Sequence, residues 1–191
     1  PLCVLIDSSF LKTLDRDNLL SGYAEMVKHA LISNKETYRA ILSFDLDRVD
    51  YTLLNQMVAQ SVAVKERIVE EDPKEMGIRK ALNLGHTVGH AYESLSFRKG
   101  RPVLHGHAVA AGLVSELYLS YKKCGFPMEN LSQVVHYLKK YYPPFFFNCD
   151  DYEALYELMS HDKKNEGGII NFTLLSQVGE VQINQSVTKE K

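Results

Sequence analysis

The stretch Asn83 to Glu93 reads N-L-G-H-T-V-G-H-A-Y-E, with two histidines four residues apart and a glycine before each. It lies inside a longer pattern that predicts a helix over roughly Ile78 to Ser96. Glycine costs about 1 kcal/mol against alanine in a helix interior, so two of them beside two imidazoles need a reason. At 100° per residue, Glu75, Arg79, Asn83, His86, His90 and Glu93 would share an arc of about 80°. A solvated outer face is the plain alternative. Such faces, however, favour Lys, Glu and Gln and have no use for glycine. Gly85 and Gly89, spaced G-x-x-x-G beside the arc, would let another backbone or a ligand come close. The arc therefore reads as a site.

Upstream, Asp72-Pro73-Lys74-Glu75 has the form of a capping sequence with proline in the first turn. Before it, Tyr51 to Glu71 is periodic, with Leu54, Met57, Val58, Ser61, Val62, Ile68 and Val69 on one stripe. Lys65 falls at the centre of that stripe, either as a stem that snorkels past an apolar rim or as a cation held in a cleft for an anionic substrate. Nearer the start, Ser21 is a candidate N-cap for a helix carrying Ala24, Val27, Ala30 and Leu31. Val4 to Asp7 suits a short strand or extended segment leading into a capped helical turn.

Downstream, a loop over Phe97 to Leu104 leads to a helix over Gly106 to Lys123, stopped by Gly125-Phe126-Pro127. Helices over Asn130 to Lys140 and Asp150 to His161 follow, the first ended by Pro143-Pro144. Ile169 to Leu175 and Glu180 to Ile183 alternate about Gln177-Val178-Gly179 as a small hairpin. The expected fold is mainly α: one multi-helical domain with a short N-terminal extended segment and a small C-terminal β-hairpin.

The 191 residues, 45% of them hydrophobic, can bury one sizeable core. A formal net charge of -2 leaves no basic stripe for a phosphate backbone, which argues against nucleic acid. No run approaches the roughly 18 apolar residues of a membrane span. Cys3, Cys124 and Cys149 are odd in number, with no C-x-x-C pair, and fit a reducing, cytoplasmic compartment. The chain opens P-L-C-V-L-I-D without methionine, as if cut from a longer protein.

Imidazoles and carboxylates suit zinc, whose catalytic sites keep three protein ligands and one open position. His86, His90, His105, His107, Glu25, Glu75 and Glu93 are candidates, and spacing does not choose among them. His86 and His90 could bind one ion from a single face, but Thr87, Val88 and Gly89 between them offer no general base, which excludes the metalloprotease signature.

Four blocks resemble 3-dehydroquinate synthase in order and spacing: S-G-Y-A-E-M-V-K (Ser21 to Lys28), E-M-G-I-R-K-A-L-N-L-G-H-T-V-G-H-A-Y-E (Glu75 to Glu93), L-H-G-H-A-V-A-A-G (Leu104 to Gly112) and D-K-K-N (Asp162 to Asn165). The resemblance runs along essentially the whole chain and covers only the C-terminal half of that enzyme. It implies that residues 1–191 form a single metal- and substrate-binding helical domain, without the family's N-terminal NAD-binding α/β domain, and inactive alone.

The resemblance also implies roles. Glu25, His86 and His105 would be metal ligands for zinc or cobalt, His90 the proton-transfer group and Glu75 its acidic partner. Lys28, Lys65, Arg79 and Asn83 would hold the substrate, with Lys163 or Lys164 completing a phosphate grip. Phe10, Leu11, Lys12 and Thr13 would touch NAD. The implied reaction, that of a carbon-oxygen lyase, cyclises 3-deoxy-arabino-heptulosonate 7-phosphate to 3-dehydroquinate with loss of phosphate, in the shikimate pathway to aromatic amino acids. The implied assembly is a cytoplasmic homodimer.

In this frame Gly85 and Gly89 would leave room where metal and substrate both approach. His107 stands where the family commonly has glutamate, and if it faced inward it could compete with His105. His29, His136 and His161 match no ligand position and are expected at the surface or in the core. Another sugar-phosphate cyclase, a polyol dehydrogenase, and a non-catalytic metal-binding dimerisation module are the alternatives. The several cations argue against a neutral polyol.

Overall fold

Asp15, rather than Ser21, opens the first long helix. In the computed structural model, which describes residues 3–160 and 169–187, the Asp15 carboxylate accepts from the Asn18 backbone N–H, and α1 runs Arg16–Ser33. An acceptor in extended conformation ahead of the first turn satisfies an N–H that has no intrahelical partner. Asn34 then ends α1 and caps α2 (Lys35–Ser43), accepting from Thr37 N–H. The sequence pattern did not single out α2, whose nine residues bury only Tyr38 and Ile41. At the N-terminus the extended segment and capped turn are present: Asp7 accepts from Ser9 N–H and a 3-10 turn covers Ser8–Lys12.

Helix α3 (Tyr51–Glu71) has the expected bounds, but only Leu54, Met57 and Ile68 of its stripe are buried. Lys65 is exposed, so its place on the stripe does not bury it against this chain's own core. Asp72 does not cap a following helix. It is the C-cap of α3, and its carboxylate gathers the backbone N–H groups of Met76, Gly77 and Arg79 at 3.0, 2.7 and 3.1 Å. Glu75, at φ 58, turns the chain out of helical geometry within that loop.

The helix expected over Ile78 to Ser96 is two elements. A 3-10 segment covers Ile78–Asn83, Gly85 takes a left-handed φ of 77°, and α4 begins at His86 and runs to Arg98. The six polar residues from Glu75 to Glu93 therefore do not share one helical wheel. Helices α5 (His105–Cys124) and α6 (Met128–Tyr141) follow close to the expected spans, with Gly125 at φ 76 closing α5. Helix α7 covers Tyr152–Ser160, and the expected end at His161 lies outside the described residues. The hairpin forms as expected from β1 (Ile170–Gln177) and β2 (Glu180–Val187), paired antiparallel.

The larger core joins α1, α2, α3, α5 and α6 around Tyr23, Leu31, Leu84, Leu113, Leu117 and Phe126. A smaller one joins α4, α7 and β1 through Val88, Leu95, Leu155, Phe172 and Leu174. Helix α5 runs between them. Among the described residues, no helix is long and apolar enough to cross a membrane.

Candidate metal centre

The glycines bring helices together. A Cβ at Gly89 would lie 3.2 Å from the Ala108 carbonyl and Val109 Cα on α5. One at Gly112 would overlap the Gly85 carbonyl and lie 2.7 Å from Gly89 N. One at Gly106 would overlap the Ser21 backbone on α1, where Gly106 N–H donates to Ser21 Oγ at 3.0 Å. Gly85 and Gly89 are thus explained by the approach of α5: of the two expected neighbours, another backbone or a ligand, the backbone is present. Close packing has its own consequence for the site. It puts the first residues of α4 and α5, His86 and His105, beside Glu25 on α1.

Ligand atoms of His86, His90 and His105 all lie within 4.8 Å of one another. Glu25 Oε1 is 3.3 Å from His86 Nε2 and 3.6 Å from His105 Nε2, while its Oε2 accepts from the buried Lys28 ammonium at 2.6 Å. The expected ligands Glu25, His86 and His105 therefore meet, and His90 joins them, with its ring centroid 5.3 Å from that of His86 and 5.7 Å from that of His105. Geometry admits His90 as a third nitrogen donor as readily as a proton-transfer group.

The donors are oriented from behind. His86 Nδ1 is 3.0 Å from the Leu84 carbonyl. A carbonyl can only accept, so Nδ1 carries the proton and Nε2 of the neutral ring turns a lone pair toward Glu25. Burial, resisted by Glu25, lowers the pKa of His86 and favours that neutral ring. His105 Nδ1 likewise meets Glu93 Oε2 at 3.0 Å, the carboxylate-imidazole arrangement that commonly orients metal ligands. With Glu25 facing its Nε2, and Glu93 adding to the effect against burial, His105 is raised to about 9. Burial works against the charge on Glu25, but the proton-bearing His105 ring facing it and the Lys28 ammonium outweigh it and hold the carboxyl well below its ordinary range.

This arrangement fits a divalent cation. Glu25 Oε1 is buried without a well-directed hydrogen bond, and the neutral His86 nitrogen opposite is also an acceptor. An ion between them would satisfy both. Two imidazoles and a carboxylate suit zinc or cobalt.

The other expected residues are placed as follows. Asn83 donates to Glu75 Oε1 at 3.1 Å, and Arg79 donates to the Pro73 carbonyl at 2.7 Å, all on the connection that leads into α4. Lys163 and Lys164 lie outside the described residues. Phe10 to Thr13 form part of the N-terminal turn, where Leu11 borders a cavity of about 230 Å³ shared with Glu25 and Ser61. His107 is turned away from the imidazole group: its ring meets Tyr142 edge-on at 5.4 Å, beside a cavity with Tyr92 and Phe145. His29 is a core residue, bonded through Nδ1 to Ser61 Oγ at 2.7 Å, and His136 is exposed.

The residue that sequence reasoning missed is Glu116. It is fully buried on α5, where its two carboxylate oxygens accept from Gly85 N–H at 2.6 Å and Val88 N–H at 2.9 Å. A signal was available, because Glu116 lies on the same face of α5 as Gly112, Leu113 and Leu117, a charge among apolar neighbours.

Comparison with known proteins gives one consistent picture. The 3-dehydroquinate synthase C-terminal family matches residues 22–165. A 3-dehydroquinate synthase of Parabacteroides distasonis is 74% identical over 191 residues, covering 100% of this chain and 54% of the relative. That of Bacillus pumilus is 38% identical over 192 residues, covering 100% of this chain and 52% of the relative. The chain spans about half the length of these curated relatives. Among solved structures, a 2-deoxy-scyllo-inosose synthase complexed with carbaglucose-6-phosphate, NAD+ and Co2+ superposes with TM-score 0.78 at 21% identity, covering 96% of this chain and 53% of that one. A 2-epi-5-epi-valiolone synthase from Streptomyces hygroscopicus with NAD+ and Zn2+ bound superposes with TM-score 0.80 at 20% identity, covering 97% of this chain and 52% of that one. At these identities the likeness is one of fold.

Proposed function

The chain belongs to the 3-dehydroquinate synthase C-terminal family, and from that premise we propose that it supplies the metal- and substrate-binding half of a 3-dehydroquinate synthase. The whole protein would cyclise 3-deoxy-arabino-heptulosonate 7-phosphate with loss of phosphate, as a carbon-oxygen lyase of the shikimate pathway. The observation that carries this reading is the meeting of Glu25, His86, His90 and His105 at the edge shared by α1, α4 and α5, with an orphaned Glu25 oxygen at its centre.

Glu25, His86 and His105 would hold zinc or cobalt. When bound, the ion would supply Lewis acidity toward the substrate's hydroxyl and ketone oxygens, and NAD the reversible hydride transfer. The remaining work falls to side chains of this chain. Lys28, paired with Glu25, and Arg79 and Asn83, which donate to Pro73 and Glu75 ahead of α4, would turn donors to the substrate's carboxylate and hydroxyls. Lys65 and one of Lys163 or Lys164 add charge for the phosphate. His90, one turn along α4 from His86, would give or take the proton, with Glu75 as the acidic partner. The turn from Phe10 to Thr13 adjoins the cavity that reaches Glu25, which supports a share in the NAD site. A cytoplasmic homodimer completes the reading.

The test is turnover by the full-length protein. Wild type should convert heptulosonate phosphate to 3-dehydroquinate with stoichiometric phosphate release, and Glu25→Ala should lose both divalent metal and activity. Substrate oxidation with no phosphate released would point to a polyol dehydrogenase instead.

A further inference from the structure

His86 is the first residue of α4, so its direction depends on the turn that precedes it. That turn has no cap of its own: Gly85 occupies the N-cap position and offers no side chain. The first N–H groups of a helix lack intrahelical partners and together form its positive end. Here the missing acceptor comes from the neighbouring helix. Glu116 on α5, with no solvent exposure, takes Gly85 N–H on one oxygen and Val88 N–H on the other, at 2.6 and 2.9 Å.

We propose that Glu116 is a positioning residue, which clamps the first turn of α4 from α5 and so sets the imidazoles of His86 and His90 at the metal centre before a metal arrives. The inference rests on the metal-site reading given above. Three features of the molecule carry it. The clamped amides belong to the residue just before His86 and to the one midway between His86 and His90, so the carboxylate grips the ligand-bearing turn itself. Gly112, one turn before Glu116 on α5, is where any Cβ would strike Gly85, so the approach that lets Glu116 reach is built into both helices. Finally, a left-handed Gly85 at φ 77 leaves the Leu84 carbonyl 3.0 Å from His86 Nδ1, which points the other ring nitrogen toward Glu25. Burying a carboxylate is costly unless it is hydrogen-bonded, and here a bond from each of its oxygens goes to this one turn.

The full-length protein provides the test. Glu116→Gln keeps the size and one acceptor but sets an amide NH2 against a backbone N–H. We expect Co2+ affinity to weaken about 10- to 100-fold, the range for partners that orient metal ligands, with a changed visible absorption band of bound Co2+. Glu116→Asp should fall between this variant and wild type. Val134→Ala, at a fully buried position on α6, should lower the melting temperature while leaving Co2+ affinity and spectrum unchanged. Wild-type Co2+ affinity and spectrum in Glu116→Gln would overturn the proposal, as would an equal loss of affinity in Val134→Ala. Absence of Co2+ binding to wild type would overturn the metal reading and this one with it.

If Glu116→Gln fails to fold, amide exchange in the wild type decides. Gly85 and Val88 amides should be as protected in metal-free protein as in the loaded one. Protection that appears only with metal would contradict positioning by Glu116.

Discussion

Two helices carry expected site residues in contrasting ways: α4 holds His86 and His90 against α5, whereas α3 presents Lys65 outward. Along the α4–α5 seam, Gly89 and Gly112 bring backbones into contact, Glu116 caps α4, and Leu84 and Glu93 fix the rear nitrogens of His86 and His105. Along α3 the same alternation of apolar and polar residues leaves Leu53, Val62 and Lys65 all exposed, the first two at 44% and 39%. Amphipathic patterning thus has two outcomes. Where small residues permit close approach, it yields a site oriented by this chain's own groups. Where they do not, the polar residue on the stripe stays in solvent.

The strongest way to break the contrast is at the seam. Gly112→Ala would push a methyl group into the Gly85 carbonyl, and overpacking against backbone should cost about 3 kcal/mol of unfolding free energy, measured by urea denaturation. A stability within error of wild type would show that the seam yields easily. The contrast can be sharpened next at His29, where α1 meets α3. Burial, with Lys28 and Lys65 adding and Glu25 opposing, pushes His29 down to about 4 from an ordinary 6.5.

The folded pKa of His29 lies below the unfolded value, so the unfolded chain binds more protons between pH 6.5 and 4. Stability is present above pH 6.5 and lost as pH falls through that window, by on the order of 3 kcal/mol. His29→Gln should flatten that part of the stability profile. A smaller effect is expected for Glu93→Gln, which weakens the grip on His105 Nδ1 and should reduce metal affinity about tenfold. Smallest of all is Lys65→Met, expected to change stability by less than about 0.5 kcal/mol because its side chain is exposed. If Lys65 holds substrate phosphate, the same variant should raise KM markedly.

The sequence pattern located most helices and the hairpin because each has a clear period and a turn signal, as at Tyr51–Glu71 and around Gly179. It also picked Glu25, His86 and His105, which the structure brings together, through the resemblance rather than through spacing. Three things escaped it for physical reasons. A helical wheel assumes continuous geometry, so it could not register the left-handed Gly85 that splits the segment from Ile78 to Ser96. G-x-x-x-G announces a close approach without saying to what, and here the partner is α5. Stripe position alone does not measure burial, so it could not say that Lys65 is exposed, and it hid Glu116, whose carboxylate is accommodated by backbone N–H groups from a distant turn.

The central claim is that Glu25, His86 and His105 hold a divalent metal. Anomalous scattering from crystals of the zinc- or cobalt-loaded full-length protein tests it most directly. The expected result is one strong peak roughly 2.0–2.2 Å from a Glu25 oxygen and from Nε2 of His86 and His105. No peak at this cluster, or a peak bound by His90 in place of Glu25, would contradict it.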